Sequence, residues 1–348
     1  MSTPLQNTPP SRPDLDIGLD SPVFIVGCPR SGTTLLYHML VSSGHFVNYR
    51  AEVHAFSILG PKFGNLKTHR DRCLFLQHWL PSIYCEKTNL DRNQLRDAIL
   101  NDCSSTADFL SSMMRLMSEQ QGLNRWAECT PAHVFYLKQM HAAFPNARFI
   151  HMVRDGRDVA LSLARQRWIT PLPWDKKRSI SVASLFWQHN VSVGNRDGAA
   201  IGDKYREVRF EDLVQQPRKT LNQLSDFVGE ELDYKHITEN PVGSVSKPNS
   251  SFGTKDDFSP IGRWHAGMSD EQLASVESLV GQTLIDRGYE LSQQYEATTQ
   301  ASLMPAVYKA IWTAKHWTRT QTFIGRLSTL ELIRIATTSE NDQAATPN

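Results

Sequence analysis

The stretch FIVGCPRSGTTLL, residues 24–36, sets an apolar run against a turn holding Gly27, Pro29, Arg30, Ser31 and Gly32, and two threonines then open an apolar pattern of helical period. A loop of the form G-x-x-x-x-G-K-[ST] cradles phosphates on backbone amides, while its lysine reaches the terminal phosphates and its hydroxyl holds magnesium. Gly27 and Gly32 keep that spacing, but Thr33 stands where the lysine belongs and the positive charge has moved into the loop at Arg30. Backbone amides and the amino end of the next helix still favour an anion, and Thr33 and Thr34 add hydroxyl donors. Without the lysine, and with no evident acidic ligand for magnesium, transfer of a multiply charged phosphoryl group loses much of its charge neutralisation. A less charged group fits better, and a sulfonyl group carried on a mixed phosphate–sulfate anhydride is one that needs no metal in principle.

Three strand–loop–helix units position this chemistry. Val23 to Val26 read as a buried strand before the loop, and Leu35, Leu36, Met39 and Leu40 give Thr33 to Ser43 a helical face. RFIHMV, Arg148 to Val153, repeats the pattern and runs into DGRDVALSLARQRW, with Val159, Ala160, Leu163 and Ala164 on one face. YREVRF, Tyr205 to Phe210, starts the third and leads into EDLVQQPRKTLNQLSDFVG. Strands alternating with helices predict an α/β fold, a central parallel sheet covered on both faces with ligand groups at the strands' carboxyl ends. The segment from about Leu66 to Asn124 is helical in period and polar, and is expected to be a helical insertion shaping a substrate cleft. Ser269 to Arg287 reads as a capped helix ended by Gly288.

The chain has 348 residues with 40% apolar content, enough for a large core. Thirty-seven basic against thirty-six acidic residues leave a net charge of +1, so the whole-molecule field gives no case for nucleic acid. Five scattered cysteines without a C-x-x-C pair fit a reducing, cytoplasmic setting and argue against zinc. Residues 1–20, rich in Pro, Ser and Asp, are expected to be a disordered leader, and 339–348 a disordered end. No window approaches eighteen uninterrupted apolar residues, as a membrane span requires. Between 300 and 338, Lys309, Lys315, Arg319, Arg326 and Arg334 mix with Trp312, Trp317, Phe323 and Ile324, which predicts a basic amphipathic helix or pair of helices. Packing on its own domain is the expectation, and peripheral contact with a membrane surface or partner the alternative.

P-R-S-G-T-T after an apolar strand resembles the 5′-phosphosulfate loop of the sulfotransferases that use 3′-phosphoadenosine 5′-phosphosulfate. FPNARFIHMVRDGRDVALSL, Phe144 to Leu163, is similar to that family's 3′-phosphate segment, in which a strand ends in Arg and a Ser follows eight residues later. Those positions are Arg154 and Ser162. With VRFEDLVQQP and SPIGRWHAGMSDEQ the resemblance runs from about Pro22 to Tyr289, and both blocks are similar to the branch holding tyrosylprotein sulfotransferases and bacterial relatives. The resemblance implies a single P-loop-like, three-layer domain over residues 21–292. It also implies a donor site made by Arg30, Ser31, Gly32, Thr33, Thr34, Arg154 and Ser162, with Arg263 in the late loop over the phosphates.

Sulfonyl transfer needs a base for the acceptor hydroxyl's proton and cations for the charge on the leaving oxygen. Twenty-two positions after Arg30, NYRAEVHAF offers Glu52 with His54 close by, and in the similar branch a catalytic Glu lies just beyond the second strand. Glu52 is therefore expected to be the base and His54 the second choice; on one extended segment the two would face the same side. In RWAECTPAH, Cys129 stands where relatives often carry Lys, so another cation (Arg30, Lys247 or Arg263) must hold the charge, or the chain is a weak relative that binds nucleotide. Cys129 is read as a small residue filling a strand end, a reactive thiol being the alternative. Phe210 replaces a frequent Tyr and removes one hydroxyl contact. The resemblance implies a hydroxyl acceptor (a protein tyrosine, glycan, glycolipid, or small alcohol or phenol), and the sequence distinguishes none of these. The enzyme alternative is a P-loop kinase.

Overall fold

The computed structural model describes residues 18–166, 179–245, 259–292 and 299–322. The expected leader, the end of the chain and Lys247 lie outside them, apart from residues 18–20. Among the described residues five strands, β1 (Val23–Gly27), β2 (Phe46–Val47), β3 (Arg125–Cys129), β4 (Arg148–Val153) and β5 (Tyr205–Arg209), form one parallel sheet in the order β2-β3-β1-β4-β5. β1 is central and wholly buried, pairing Val23 with both Ala127 of β3 and Arg148 of β4. Alternate residues feed opposite layers, Phe24 and Val26 entering one core and Val23 and Ile25 the other. An apolar run without polar alternation is what a strand covered on both faces requires.

Helix α1 (Thr33–Ser42) follows the loop after β1. The insertion folds as α2 (His69–Trp79), α3 (Arg92–Asp102) and α4 (Thr106–Gln121), capped by Thr68, Asp91 and Ser105. Phe109 anchors it, its ring centroid 4.8 Å from those of both Phe75 and Trp79. Helical turns at Ala55–Leu59 and Gly60–Phe63 start this layer earlier than Leu66. Helix α5 (Gly156–Arg165) follows β4, and α6 (Ile180–Ala199) packs along it. The third unit supplies α7 (Pro217–Val228), and Ser269 caps α8 (Asp270–Asp286) through a reciprocal bond with Gln272.

The three units read from the sequence are present; β3, the short β2 and α6 complete the architecture. Helix α9 (Thr299–Gln321) packs on the body of the molecule, as expected of the tail. Its inward side buries Tyr308 and rests Trp312 on Phe135 at 4.2 Å, while Leu303, Met304, Val307 and Trp317 are exposed. No described helix is long and apolar enough to cross a membrane.

Candidate active site

The loop between β1 and α1 turns through three positive φ angles, 150° at Gly27, 77° at Arg30 and 90° at Gly32. A Cβ on Gly27 would come within 2.5 Å of the Met152 carbonyl oxygen, so glycine lets β1 end against β4. A Cβ on Gly32 would meet Phe210 Cδ2 at 2.2 Å. Phe210 thus fills the space against the loop, and its ring lies 4.6 Å from the Arg154 guanidinium. Arg30, a non-glycine residue in the left-handed region, is held by two bonds: Arg154 Nη1 donates to its carbonyl at 3.0 Å, and its own Nε donates to Ser162 Oγ at 3.1 Å.

These bonds bring the two sequence segments together. Arg154 leaves the carboxyl end of β4 and Ser162 sits on α5, so both converge on the loop after β1. Arg154 also pairs with Asp158 at 3.4 Å and donates to the Pro260 carbonyl. The Asp158 carboxylate accepts the backbone N–H of Gly262 at 2.9 Å and of Trp264 at 3.0 Å, which fixes the late loop carrying Arg263. Burial first, then the charges of Arg154 and Arg263, hold the Arg30 pKa below its ordinary value. Cations that disfavour one another's charge in this way are suited to an anion placed between them. Ser31 is buried and its Oγ has no hydrogen-bond partner, nor has Arg154 Nε, and Gly32 starts α1 without a side-chain cap. Three guanidinium groups, an unsatisfied hydroxyl and a helix start fit a phosphate or sulfate group. The two threonines divide: Thr33 is buried beside Cys129, while Thr34 is exposed.

Glu52 and His54 follow β2 and are brought together, with His54 Nε2 3.2 Å from Glu52 Oε2. The expected extended segment is replaced by a left-handed turn at His54, φ 54°, so a turn rather than strand alternation juxtaposes them. His54 Nδ1 lies 3.2 Å from Ser57 Oγ. Burial first, with neighbouring His133 and Arg319 adding to it, depresses the His54 pKa to about 4, so it serves as a neutral partner. The Glu52 carboxyl is pushed up to about 7, by its enclosed position first and the Glu128 charge second. Its side chain remains 45% exposed, so a carboxyl poised near neutrality opens onto the cavity.

Behind this pair stands a buried brace that the sequence reading left without a role. Glu128 accepts from the Thr130 hydroxyl and from His133 Nδ1 at 3.1 Å, while His133 Nε2 accepts the Phe56 N–H at 3.3 Å. That pattern assigns the His133 proton to Nδ1. Burial opposes ionisation of Glu128, but His133 and Thr130 overcome it and hold the pKa below the usual value. Thr130 Oγ1 also receives the His54 N–H at 3.4 Å, linking the brace to the turn that presents Glu52. The signal was the Glu128-to-His133 spacing in RWAECTPAH. Cys129, beside Glu128, is buried; burial, then Glu52 and Glu128, push its thiol well up. A buried thiol held in its protonated form fits a residue filling the strand end better than a reactive thiol.

A cavity of about 420 Å³ opens beside Glu52. Pro29 of the loop, Glu52, His54, Ser57 and Ile58 form one side, and Pro131, Ala132, Phe135, Tyr136 and Phe186 continue it. Helix α9 supplies the rest through Trp312, Lys315, His316 and Arg319, with Arg319 Nη2 donating to the Ser57 carbonyl at 3.1 Å. Pro29, next to Arg30, is part of that lining, so the cavity borders the loop.

The family profile described as "Sulfotransferase family" matches residues 22–234. Protein-tyrosine sulfotransferase of Drosophila melanogaster is 26% identical over 228 residues, 65% of this chain and 41% of that protein. Human carbohydrate sulfotransferase 1 is 24% identical over 174 residues, 45% of this chain and 42% of that protein. The chain thus spans less than half the length of these two relatives. Among solved structures, the sulfotransferase domain from the curacin biosynthetic pathway superposes with a TM-score of 0.55 at 20% identity, covering 78% of this chain and 98% of that domain, which is a likeness of fold. With this profile spanning more than half of the chain and all five described strands, including the loop at Arg30 and the segment from Arg154 to Ser162, the chain belongs to the sulfotransferase family.

Proposed function

We propose that this chain transfers a sulfonyl group from 3′-phosphoadenosine 5′-phosphosulfate to an acceptor hydroxyl, with Glu52 as general base. The observation that carries the reading is that the loop joining Arg30 to Arg154 and Ser162 also puts Pro29 into the lining of the cavity onto which Glu52 opens. The donor supplies a sulfonyl group whose bond to phosphate oxygen breaks as the acceptor oxygen bonds to sulfur. Arg30, Ser31, Thr34 and the start of α1 hold the 5′ end, and Arg154, Ser162 and Arg263 the 3′-phosphate. Thr33 lies beneath, beside Cys129. Glu52 Oε receives the acceptor's proton while neutral His54 orients the carboxylate through Nε2. The crowded guanidinium groups stabilise the charge left on the departing phosphate, with Cys129 standing where the resemblance leads one to expect a Lys.

Calorimetric titration with 3′-phosphoadenosine 5′-phosphate, against ATP with magnesium, tests the donor half. Binding in the micromolar range, roughly −8 kcal/mol, weakened by Arg154→Ala and unmatched by ATP, is expected. ATP binding without bisphosphate binding would return the loop to a kinase reading and sink the proposal.

A further inference from the structure

Glu52 is carried by a turn that needs support from outside. His54 is a non-glycine residue at φ 54°, a backbone conformation that persists only where its surroundings fix it. It opens the single helical turn Ala55–Leu59, closed by the Ile58 and Leu59 N–H groups donating back to the His54 carbonyl at 3.0 Å. Amides at the front of such a turn have no partner within it. Two of them are taken by side chains from another element: the Thr130 hydroxyl accepts from His54 at 3.4 Å, and His133 Nε2 accepts from Phe56 at 3.3 Å. Both acceptors are fixed by one carboxylate. Glu128 receives the Thr130 hydroxyl proton on Oε1 and His133 Nδ1–H on Oε2 at 3.1 Å, and all three side chains are buried. With their protons committed to Glu128, Thr130 and His133 each present a lone pair to the turn.

A buried carboxylate carries a desolvation penalty that an apolar residue at the end of β3 would avoid. Its position accounts for it. Glu128, Cys129 and Thr130 are consecutive at that end; Cys129 lies beside Thr33 of the phosphate loop, and Thr130 holds the turn. One short segment therefore sets the base against the loop that takes the donor, and a displacement of about 1 Å between reacting groups is enough to slow transfer severely. Besides Glu128, the titratable and charged groups around Glu52 are His54 on its own segment, Cys129 on β3 and, across the cavity, Tyr136 with Lys315, His316 and Arg319 of α9.

We propose, on the basis of the sulfotransfer reading, that Glu128, Thr130 and His133 are positioning residues for the base: they clamp the His54 and Phe56 amides and so hold Glu52 in register with the donor loop. The Glu52 carboxyl is followed against pH by carbon-13 NMR of the full chain without donor or acceptor, its signal being the one missing from Glu52→Gln. Thr130→Val keeps the shape of the side chain and removes the hydroxyl, so the turn loses one acceptor and Glu128 one donor. A carboxyl on a released turn meets more water. Its midpoint, about 7 in the unmodified chain, is therefore expected to fall by at least about half a pH unit in Thr130→Val, and Thr130→Ser, which restores the hydroxyl, should bring it back. Calorimetric affinity for 3′-phosphoadenosine 5′-phosphate should stay within about twofold in both variants. An unmoved or raised midpoint in Thr130→Val, an equal displacement in Thr130→Ser, or bisphosphate affinity lost together with the midpoint overturns the proposal. If Thr130→Val fails to fold, Thr130→Ala, smaller and equally without the hydroxyl, should give the same fall, and an unmoved midpoint overturns the proposal equally. Failure of the bisphosphate to bind the unmodified chain removes the donor reading instead, since the carboxyl is titrated without it.

Discussion

At the scale of single residues, the reaction is set by a carboxyl whose surroundings hold it between two protonation states. Glu52 has a folded pKa of about 7 against an ordinary 4.5, with burial and Glu128 as the causes. The rate should therefore rise with pH and reach half its plateau near pH 7, measured as kcat/KM for the acceptor, which reports the ligand-free carboxyl. Glu52→Gln should abolish transfer while bisphosphate affinity is unchanged. The stability effect has the opposite sign: a raised acid stabilises the fold in its protonated form, fully below the ordinary pKa, and this contribution is lost as pH rises through about 7. Denaturant titrations below and above pH 7 should show a smaller pH-dependent loss in Glu52→Gln than in the unmodified chain. Gly32 carries a different constraint, with φ at 90° and Phe210 where a Cβ would go. Gly32→Ala should destabilise by about 1–3 kcal/mol from backbone strain alone, and should weaken bisphosphate binding because Phe210, which supports Arg154, must move. Calorimetry and thermal unfolding of Gly32→Ala read both effects, and unchanged bisphosphate affinity would break the link between the ring and the cation.

Between elements, the donor site depends on contacts made far from the phosphate loop. Arg157, in the first turn of α5, donates through Nε and Nη2 to Asp155 at 3.0 and 2.8 Å and through Nη1 to Glu277 of α8 at 2.7 Å. Its guanidinium lies 3.8 Å from the Trp264 ring, next to Arg263. One side chain thus joins the end of β4, α8 and the late loop. Arg157→Met should cost about 3–5 kcal/mol, because two buried carboxylates lose their partner, and Arg157→Lys should recover only part of it, lacking the planar fork. Both should weaken bisphosphate binding through the late loop, as calorimetry beside urea unfolding would record. Nothing in the sequence pairs Arg157 with Glu277, 120 positions away. The loop at 27–34 and the Arg154-to-Ser162 step were legible because each is local: a strand end, a turn and one helical face state their geometry within a dozen residues. β3 was harder to read, as Arg125 begins a strand that is buried only because Glu230 and the Val228 carbonyl receive its guanidinium from α7's end.

Across the whole molecule, the donor half of the site is written in motifs and the acceptor half in tertiary packing. Glu52 could be singled out by its distance from Arg30, but the chamber it faces joins residues from Pro29 to Arg319, and the Arg319–Ser57 bond spans 262 positions. Composition shows α9 to be amphipathic without saying what its aromatic face covers. A net charge of +1 gives no general field, so Lys315 and Arg319, which line the chamber with Glu52, act locally. Trp312 fastens α9 there, touching Phe135 at 4.2 Å and His189 at 4.7 Å. Trp312→Ala should therefore cost about 3 kcal/mol and, more tellingly, raise the rate at which protease cuts α9, because few other rings hold the helix down. Bisphosphate affinity should change little, since Arg30, Arg154 and Ser162 are held by bonds to one another and to Asp158 and the Pro260 carbonyl, whereas affinity for an aromatic probe of the chamber such as naphthol should fall. Equal loss at both ligands would mean that α9 supports the whole fold; loss at the acceptor probe alone would make the helix a separable wall, able to change acceptor preference without disturbing the donor site.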